Sequence, residues 1–239
     1  MSSVVHPDDV GRPDRVGEPP TPTPLAIFDL DRTILPGSSL AIAARELVRF
    51  GLIGRTAVIR AGVENLAFRY RGASDRVVAA LVSDVLALTA GLDASDVRAV
   101  LERSQAAMVS SSRWELIDRI RAHRAAGDVC VVLTASPVEI AEMFAESLGA
   151  HFGIGTRAEI VDGRYTGRLV GSVCYGQAKL LHLERGPVRP LWHRSTAYSD
   201  AISDLPLLAA VGTPIVVNPD RKLRRVARTR RWDSLTISR

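Results

Sequence analysis

Four short apolar runs lie far apart in the chain, and each has the composition of a buried strand. They are rich in β-branched or aromatic residues and cover residues 25–30, 129–135, 196–200 and 214–219. Runs of this kind, separated by helical segments, are typical of parallel strands buried on both faces of a sheet. The sequence therefore predicts an α/β protein with a mostly parallel sheet. One β-hairpin is also expected in residues 159–171, because Asp162-Gly163 suits a tight two-residue turn.

The long segment between the first two runs has a helical pattern and almost no strand signal. Across residues 38–126, apolar residues recur every three to four positions, which is the spacing of one face of an α-helix. Polar residues that suit helix N-caps precede three such segments. We expect helices that start near Ser74, Ser95 and Ser112, the first ending at Gly91 and the last at Gly127, with Trp114, Ile117 and Ile120 facing inward.

The net charge of +5 is concentrated near the C-terminal end of the chain. Residues 221–231 hold seven of the 31 basic residues and no acidic one, so 24 basic residues face 26 acidic ones elsewhere. Leu223, Val226 and Ala227 have helical spacing, which favours a C-terminal helix with a solvated basic face. Binding of an anionic polymer or an anionic membrane is the alternative. No RNA-binding aromatic motif accompanies the patch, so we expect no nucleic-acid partner.

Composition and segment patterns favour a soluble, cytoplasmic protein. The 239 residues are 46% apolar, which is enough for one domain, or one domain with an insertion. The longest uncharged apolar stretch, residues 205–219, is interrupted by proline and glycine and falls short of the roughly 20 residues of a membrane helix. Residues 1–24 lack the pattern of a signal peptide, and we expect a flexible tail there. Cys130 and Cys174 have no metal-type spacing, which favours reduced thiols.

The first apolar run ends in two aspartates, Asp29 and Asp31, within the stretch LAIFDLDRTILPG. Side chains alternate along a strand, so both carboxylates can face one pocket if the strand continues through them. Two like charges this close favour either a bound cation or a raised pKa for one carboxyl group. A loop or turn of solvated acids is the alternative for this motif taken alone.

Two further residues, Thr134 and Lys179, suit the binding of a phosphate. Thr134 ends the second run, where Ser136, Pro137 and Glu139 predict a helix N-terminus with a capping box. Free N–H groups at such an end attract phosphate, and a hydroxyl adds a hydrogen bond. Lys179 is one of two lysines among 29 arginines, and its ammonium is a compact charge that can balance phosphate or carboxylates. Taken singly, a strand-end threonine and a solvated lysine are the simpler interpretations.

A second pair of aspartates follows the third apolar run. Asp200 comes directly after the run and Asp204 lies four residues later, so one helical turn would bring the two carboxylates close together. Carboxylates at the ends of two strands of one sheet can converge on a hard cation such as Mg²⁺, which prefers oxygen ligands. Ligands of open α/β sheets bind outside the carboxyl ends of the strands. The sequence therefore predicts that the functional site lies at the sheet edge formed by the carboxyl ends of the strands.

Taken in order, these residues resemble the four motifs of the haloacid dehalogenase (HAD) superfamily. The chain has D-x-D-x-T at residues 29–33, a strand-end threonine, a lysine and then D-x-x-x-D at residues 200–204. The helical insertion is similar to the cap of the phosphoserine-phosphatase-like subfamily, and GQAKL and NPDRKLRR are similar to stretches in its bacterial members. The resemblance extends to about residue 232. It implies a Rossmann-like three-layer core, residues 25–37 and 113–239, with a helical cap, residues 38–112, inserted after the first strand.

The resemblance also implies roles for the motif residues. Asp29 would be the nucleophile that forms an aspartyl-phosphate, and Asp31 would act as general acid and then as general base. Thr134 and Lys179 would bind the oxygens of the transferring phosphoryl group.

The implied cofactor is Mg²⁺. It would be held by Asp29, Asp200 and the backbone carbonyl of Asp31. Asp204 would ligate the ion through water or orient the lysine. Thr33 would hold the loop through a backbone hydrogen bond.

The chain departs from the family pattern in two places. Arg32 stands where many members have glycine, and no glutamate follows Thr33, although phosphoserine-specific members usually carry one there for the substrate's ammonium. We therefore predict a Mg²⁺-dependent phosphomonoester hydrolase for a small phosphorylated metabolite, with phosphoserine disfavoured. The alternatives are a phosphotransferase or lipid-phosphate phosphatase of the same fold, and a non-catalytic regulatory protein that uses residues 221–231.

Overall fold

The structure, a computed structural model, describes residues 21–56, 59, 82 and 86–237. Within them, seven strands belong to one sheet: β1 (Leu25–Asp29), β2 (Val129–Pro137), β3 (Phe152–Val161), β4 (Arg164–Val170), β5 (Thr196–Ser199), β6 (Thr213–Val217) and β7 (Asp233–Leu235). Their order from edge to edge is β4-β3-β2-β1-β5-β6-β7. All neighbouring strands are parallel except the hairpin of β3 and β4. The expected mostly parallel sheet is confirmed.

Helices cover both faces of the sheet. They are α1 (Ser39–Arg49), α2 (Ala94–Val109), α3 (Trp114–Ala125), α4 (Val138–Leu148), α5 (Ala178–Glu184), α6 (Leu205–Ala210) and α7 (Arg221–Arg230). Side chains of β1 alternate between two apolar clusters, because successive residues of a strand point to opposite faces. Ala26 and Phe28 pack with α3 and α4, whereas Leu25 and Ile27 pack with α5, α6 and α7. The result is the three-layer, Rossmann-like arrangement that the sequence predicted.

The helices α1 and α2 lie in the expected cap segment and pack on the same face as α4. Leu47 of α1 and Leu101 of α2 belong to the apolar cluster that contains Phe144 of α4, and Gln105 donates a hydrogen bond to Ser147 over 2.5 Å. The helix expected from Ser74 falls largely outside the described residues. The division into a core and a cap at residues 38–112 therefore stays a prediction.

The expected N-terminal tail, residues 1–24, enters the described part of the chain at residue 21. Thr23 accepts a backbone hydrogen bond from Leu191 and donates one to Arg189, both over 2.9 Å. Its backbone is therefore tied to the segment before β5, so the folded part begins earlier than residue 25.

Two helices differ in detail from the sequence prediction. The helix α2 begins at Ala94, one residue before Ser95, because Asp93 is the N-cap and accepts a hydrogen bond from the Ser95 amide. The inward orientation expected for Trp114 was wrong, since this side chain is 67% exposed. The buried positions of α3 are Leu116 and Ile120, which lie four residues apart on one helical face.

The hairpin turn and the C-terminal helix are confirmed. Asp162 and Gly163 have positive φ angles of 49° and 75°, as a tight turn between paired strands requires. In α7, Leu223 and Ala227 are buried while the basic side chains are exposed, which is the solvated basic face expected there. The strand β7, which follows α7, was not predicted. None of the described helices is long and apolar enough to cross a membrane.

The central position of β1 places the candidate residues at one edge of the sheet. This strand pairs with β2 on one side and β5 on the other. The strands β2 to β4 lie on one side of it and β5 to β7 on the other. A crevice forms at such a switch point, outside the carboxyl ends of the parallel strands. Asp29 is the last residue of β1, Asp200 directly follows β5, and Thr134 lies three residues before the end of β2.

A close approach between β3 and α4 gives a first prediction. A Cβ atom added at Gly153 would lie 2.2 Å from the backbone carbonyl carbon of Ala141, so α4 would have to move away from the sheet. We expect Gly153→Ala to lower the free energy of unfolding by about 3 kcal/mol or more, measured by denaturant unfolding. Gly54→Ala is the control, because its nearest neighbour would lie at 3.9 Å. Equal stability of the two variants would contradict this packing.

Candidate active site

Lys179 is the buried centre of the candidate site. It lies in the first turn of α5, is 2% exposed, and donates hydrogen bonds from Nζ to Asp29 Oδ1 and Asp204 Oδ2, both over 2.7 Å. Burial alone would lower the pKa of Lys179, but the two carboxylates outweigh burial and raise it. The ammonium is therefore charged at neutral pH. The structure places this lysine against two of the motif aspartates, and its expected role in phosphate binding stays a prediction.

Asp29 is held from two sides at the end of β1. Thr33 Oγ1 donates to Asp29 Oδ2 over 3.0 Å, opposite the contact from Lys179. The expected backbone hydrogen bond of Thr33 was wrong, because its hydroxyl binds this carboxylate instead. Burial raises the pKa of Asp29 to about 6, although the lysine opposes the rise. The carboxylate lies in a dry environment with one direct counter-ion.

Asp204 and Asp200 take different positions beside this pair. Asp204 Oδ2 accepts hydrogen bonds from Lys179 and from Ser199 Oγ over 2.7 Å each, so Asp204 orients the lysine. Asp200 contacts Arg32 instead, with 3.1 Å between its Oδ2 and the arginine Nε. Burial and the nearby charge of Asp29 raise the pKa of Asp200 to about 7.

The carboxylate of Asp31 is buried and surrounded by donors. Strand β1 stops at Asp29, so Asp31 reaches the site from the following loop rather than from a continued strand. Its Oδ1 accepts from the Ser39 amide over 2.6 Å and its Oδ2 from Ser136 Oγ over 3.2 Å. Burial raises the pKa of Asp31, while these hydrogen bonds oppose the rise.

The end of β2 differs from the predicted helix start. The strand runs through Pro137, α4 begins at Val138, and its N-terminus has no side-chain cap. The capping box of Ser136 and Glu139 was therefore wrong: Ser136 binds Asp31, and Glu139 accepts from the Tyr165 hydroxyl over 2.9 Å. Thr134 is buried within β2, three residues before the strand ends, and its expected role in phosphate binding stays a prediction.

The orientation of Thr134 follows from its backbone neighbour. Its Oγ1 accepts a hydrogen bond from the Ser136 amide over 3.1 Å. The hydroxyl serves as an acceptor there, so its hydrogen is left to donate to a ligand oxygen.

Sequence reasoning missed two groups of residues that shape the site. Arg113 Nη1 donates to the backbone carbonyls of Arg32, Thr33 and Leu35 over 2.5, 2.7 and 3.3 Å, which fixes the loop after Asp29. Ser39 and Ser136 hold Asp31 and share a hydrogen bond of 2.8 Å between their hydroxyls. Arg113 is one of 29 arginines, and Ser39 and Ser136 have ordinary helix-start patterns. The sequence therefore carries no signal for these roles.

The chemistry of the cluster fits a divalent cation. The cluster contains four carboxylates and two cations, so its formal charge is −2 when all six groups are ionised. The carboxylates are those of Asp29, Asp31, Asp200 and Asp204, and the cations are Lys179 and Arg32. Asp200 Oδ1 is buried and receives no hydrogen bond from the described residues, so an acceptor is available. No three acidic, histidine or cysteine side chains form a ready-made metal cluster within the described ranges. The fit therefore rests on the excess of negative charge and on this available acceptor.

Comparison with known proteins assigns the chain to a family. The model of the haloacid dehalogenase-like hydrolases matches residues 26–209. A "probable phosphatase" of Mycobacterium tuberculosis is 37% identical, over 93% of this chain and 78% of its own length. A phosphoserine phosphatase of the same organism is 33% identical, over 88% and 70%. A solved structure of a Bordetella pertussis protein of unknown function is 31% identical, with a TM-score of 0.72 over 90% of this chain and 99% of that one.

The chain therefore belongs to the haloacid dehalogenase-like hydrolases. Within that family it is a phosphatase-like enzyme. The four motifs that the sequence analysis singled out lie within the matched range, and the structure brings them to one edge of the sheet.

The buried carboxylates give a second prediction, for the protein without metal. Asp200 has a pKa of about 7 in the folded protein, against an ordinary value of 3.8. The folded state therefore binds this proton more tightly than the unfolded state does. The free energy of unfolding should therefore fall as the pH rises from about 4 to about 7, by about 2–4 kcal/mol for Asp200. Denaturant unfolding with a chelator present measures this slope.

The matched variants for this test are Asp200→Asn and Asp118→Asn. Asp200→Asn should show a clearly smaller slope, because this titrating group is gone, while Asp29, whose pKa burial also raises, keeps its own contribution. Asp118→Asn, which removes an exposed carboxylate outside the site, should keep it. A slope unchanged in Asp200→Asn would show that this carboxyl group has an ordinary pKa.

Proposed function

We propose that the protein is a Mg²⁺-dependent phosphomonoester hydrolase that acts through an aspartyl-phosphate intermediate on a small phosphorylated metabolite. The observation that carries the proposal is the environment of Asp29. This carboxylate ends the central strand, accepts a hydrogen bond from Lys179 over 2.7 Å, and is close enough to Asp200 for its charge to raise the pKa of that group. A buried, oriented carboxylate with an adjacent fixed cation is suited to covalent catalysis on phosphorus.

The proposed reaction has two displacements. In the first, an oxygen of Asp29 attacks phosphorus, the bond from phosphorus to the leaving oxygen breaks, and Asp31 gives its proton to that oxygen. In the second, Asp31 takes a proton from water, the water oxygen attacks phosphorus, and the bond between phosphorus and Asp29 breaks to release phosphate. Asp31 suits both steps, because burial favours its protonated form while Ser136 and Ser39 stabilise its ionised form.

Binding of the phosphoryl group falls to Lys179 and Thr134 in this proposal. The ammonium is already fixed by Asp29 and Asp204, so little reorganisation is needed when phosphoryl oxygens approach. The Thr134 hydroxyl would donate a hydrogen bond to one of these oxygens. Asp29, Asp200 and the Asp31 carbonyl would hold Mg²⁺, which when bound supplies positive charge against the phosphoryl oxygens and the clustered carboxylates.

The proposed substrate class is a small phosphorylated metabolite. The relatives named as phosphatases support hydrolysis of a phosphate ester. The stretch TILPGSS after Asp31 and Arg32 offers no carboxylate for a substrate ammonium, so the proposal does not favour phosphoserine.

A variant of the nucleophile tests the reaction. We expect the wild-type protein to hydrolyse an aryl phosphate only with Mg²⁺, and Asp29→Asn to lose at least about a thousandfold in kcat, because an amide cannot form the acyl-phosphate. Mass spectrometry after acid quenching should find one added phosphoryl group on the peptide that contains Asp29. Asp118→Asn is the matched control, and full activity of Asp29→Asn would exclude the mechanism.

The hydrogen bond from Ser136 gives a prediction for the pH profile. It lowers the pKa of Asp31, so Ser136→Ala should raise that pKa. The first step needs protonated Asp31, so kcat/KM falls at high pH as this group loses its proton. A higher pKa of Asp31 therefore moves this alkaline limb of the kcat/KM profile to higher pH. Ser110→Ala, at an exposed helix end, should leave the limb in place. A limb that stays fixed in Ser136→Ala would contradict the proposed role of Asp31.

A further inference from the structure

The backbone of Arg32 adopts a conformation that ordinary residues rarely take. Its φ angle is 64°, in the left-handed region where a Cβ atom meets the neighbouring carbonyl and where glycine is favoured. An arginine at such a position is a local strain that the surrounding structure has to impose.

The surroundings fix the direction of this side chain. The Arg32 carbonyl accepts a hydrogen bond from Arg113, and its amide donates to the Gly37 carbonyl over 3.1 Å. With both backbone groups held, the side chain leaves the loop toward the end of β5. There its Nε lies 3.1 Å from Asp200 Oδ2.

The two partners of this ion pair differ in exposure. The Arg32 side chain is 45% exposed, whereas that of Asp200 is 6% exposed. The second oxygen of Asp200 receives no hydrogen bond from the described residues. The arginine therefore supplies the direct counter-charge of Asp200 in this part of the chain, and its outer half is free to move into solvent.

We infer that Arg32 is a tethered counter-cation that competes with the divalent metal ion for Asp200. The inference rests on the proposed function, because it concerns the metal-binding carboxylate of that site. Without metal, the guanidinium neutralises and orients Asp200. With metal, one carboxylate faces two cations, whose repulsion opposes metal binding. Arg32 thus sets the Mg²⁺ concentration at which the site fills.

The exposure of Arg32 makes this exchange feasible. Its backbone is held by Arg113 and Gly37, so release of Asp200 needs only side-chain rotation into water and no rearrangement of the loop. A guanidinium keeps its charge at every physiological pH. The competition therefore depends on metal concentration and not on protonation of the arginine.

The test measures metal binding directly, with the full chain, no substrate and the metal first removed by a chelator. Calorimetric titration with Mg²⁺ should give a Kd about tenfold lower for Arg32→Gln than for the wild type. Arg32→Lys, which keeps the charge, should stay within about threefold of the wild type. Arg121→Gln removes an equal charge from an exposed ion pair outside the site and should leave Kd unchanged. An equal or higher Kd in Arg32→Gln overturns the inference.

A second measurement tests the ion pair without metal. In a double-mutant cycle, Arg32→Gln should destabilise the metal-free protein when Asp200 is present and have little effect in the Asp200→Asn background. Additive effects of the two substitutions would overturn the pairing on which the inference rests.

Failure of this inference can be told apart from failure of the proposed function. A protein that hydrolyses phosphomonoesters with Mg²⁺ but shows no change of Kd in Arg32→Gln overturns only the role of Arg32. A protein that shows the tenfold change but hydrolyses no phosphomonoester overturns only the hydrolase proposal. If neither the wild type nor Arg32→Gln binds Mg²⁺, the inference fails.

Discussion

The ammonium of Lys179 joins three segments that are distant in the sequence. It binds Asp29 at the end of β1 and Asp204 in the 3₁₀ turn Ile202–Asp204 that follows β5, and it is itself part of α5. A charge buried this deeply is stable only with paired and hydrogen-bonded partners. The relative positions of β1, α5 and the segment after β5 therefore depend on this one cation. The carboxylates outnumber the cations around it, and this excess of negative charge is the physical basis for the proposed divalent ion.

The loop after Asp29 carries the other half of the site. Arg113 holds its carbonyls, and Ser39, at the start of α1, holds Asp31 through its backbone amide. The proposed acid–base group is thus connected to the first helix of the expected cap, and Arg32 is directed at Asp200 from the same loop. A small change in this loop would alter proton transfer and metal binding together, because both carboxylates depend on its conformation.

The strands and the residues that end them were largely predictable, whereas several side-chain contacts were not. Runs such as residues 25–30 and 129–135 are apolar along their length, and burial on both faces requires that composition. Trp114 has the spacing of an inward-facing helical position, yet its side chain is exposed. Ser136 has the pattern of a helix N-cap, yet its hydroxyl binds Asp31. Local spacing shows which positions share a face, but it does not show which of several partners a hydroxyl or a ring will meet. Thr33 illustrates the same limit, since its hydroxyl donates to the Asp29 carboxylate and not to a backbone group.

The amino-acid sequence alone specified the parallel sheet and the order of the polar groups at its edge, because both follow from short-range periodicity in composition. The family assignment rests on the family model that matches residues 26–209, and it agrees with that order and with the fold. The tertiary structure decided which of those groups touch. Lys179 and Asp29 are 150 residues apart, and their contact depends on how α5 packs beneath β1. The contact of Arg32 with Asp200 depends on a left-handed backbone imposed by Arg113 and Gly37. Such contacts are set by packing and burial across the whole chain, which no local pattern encodes.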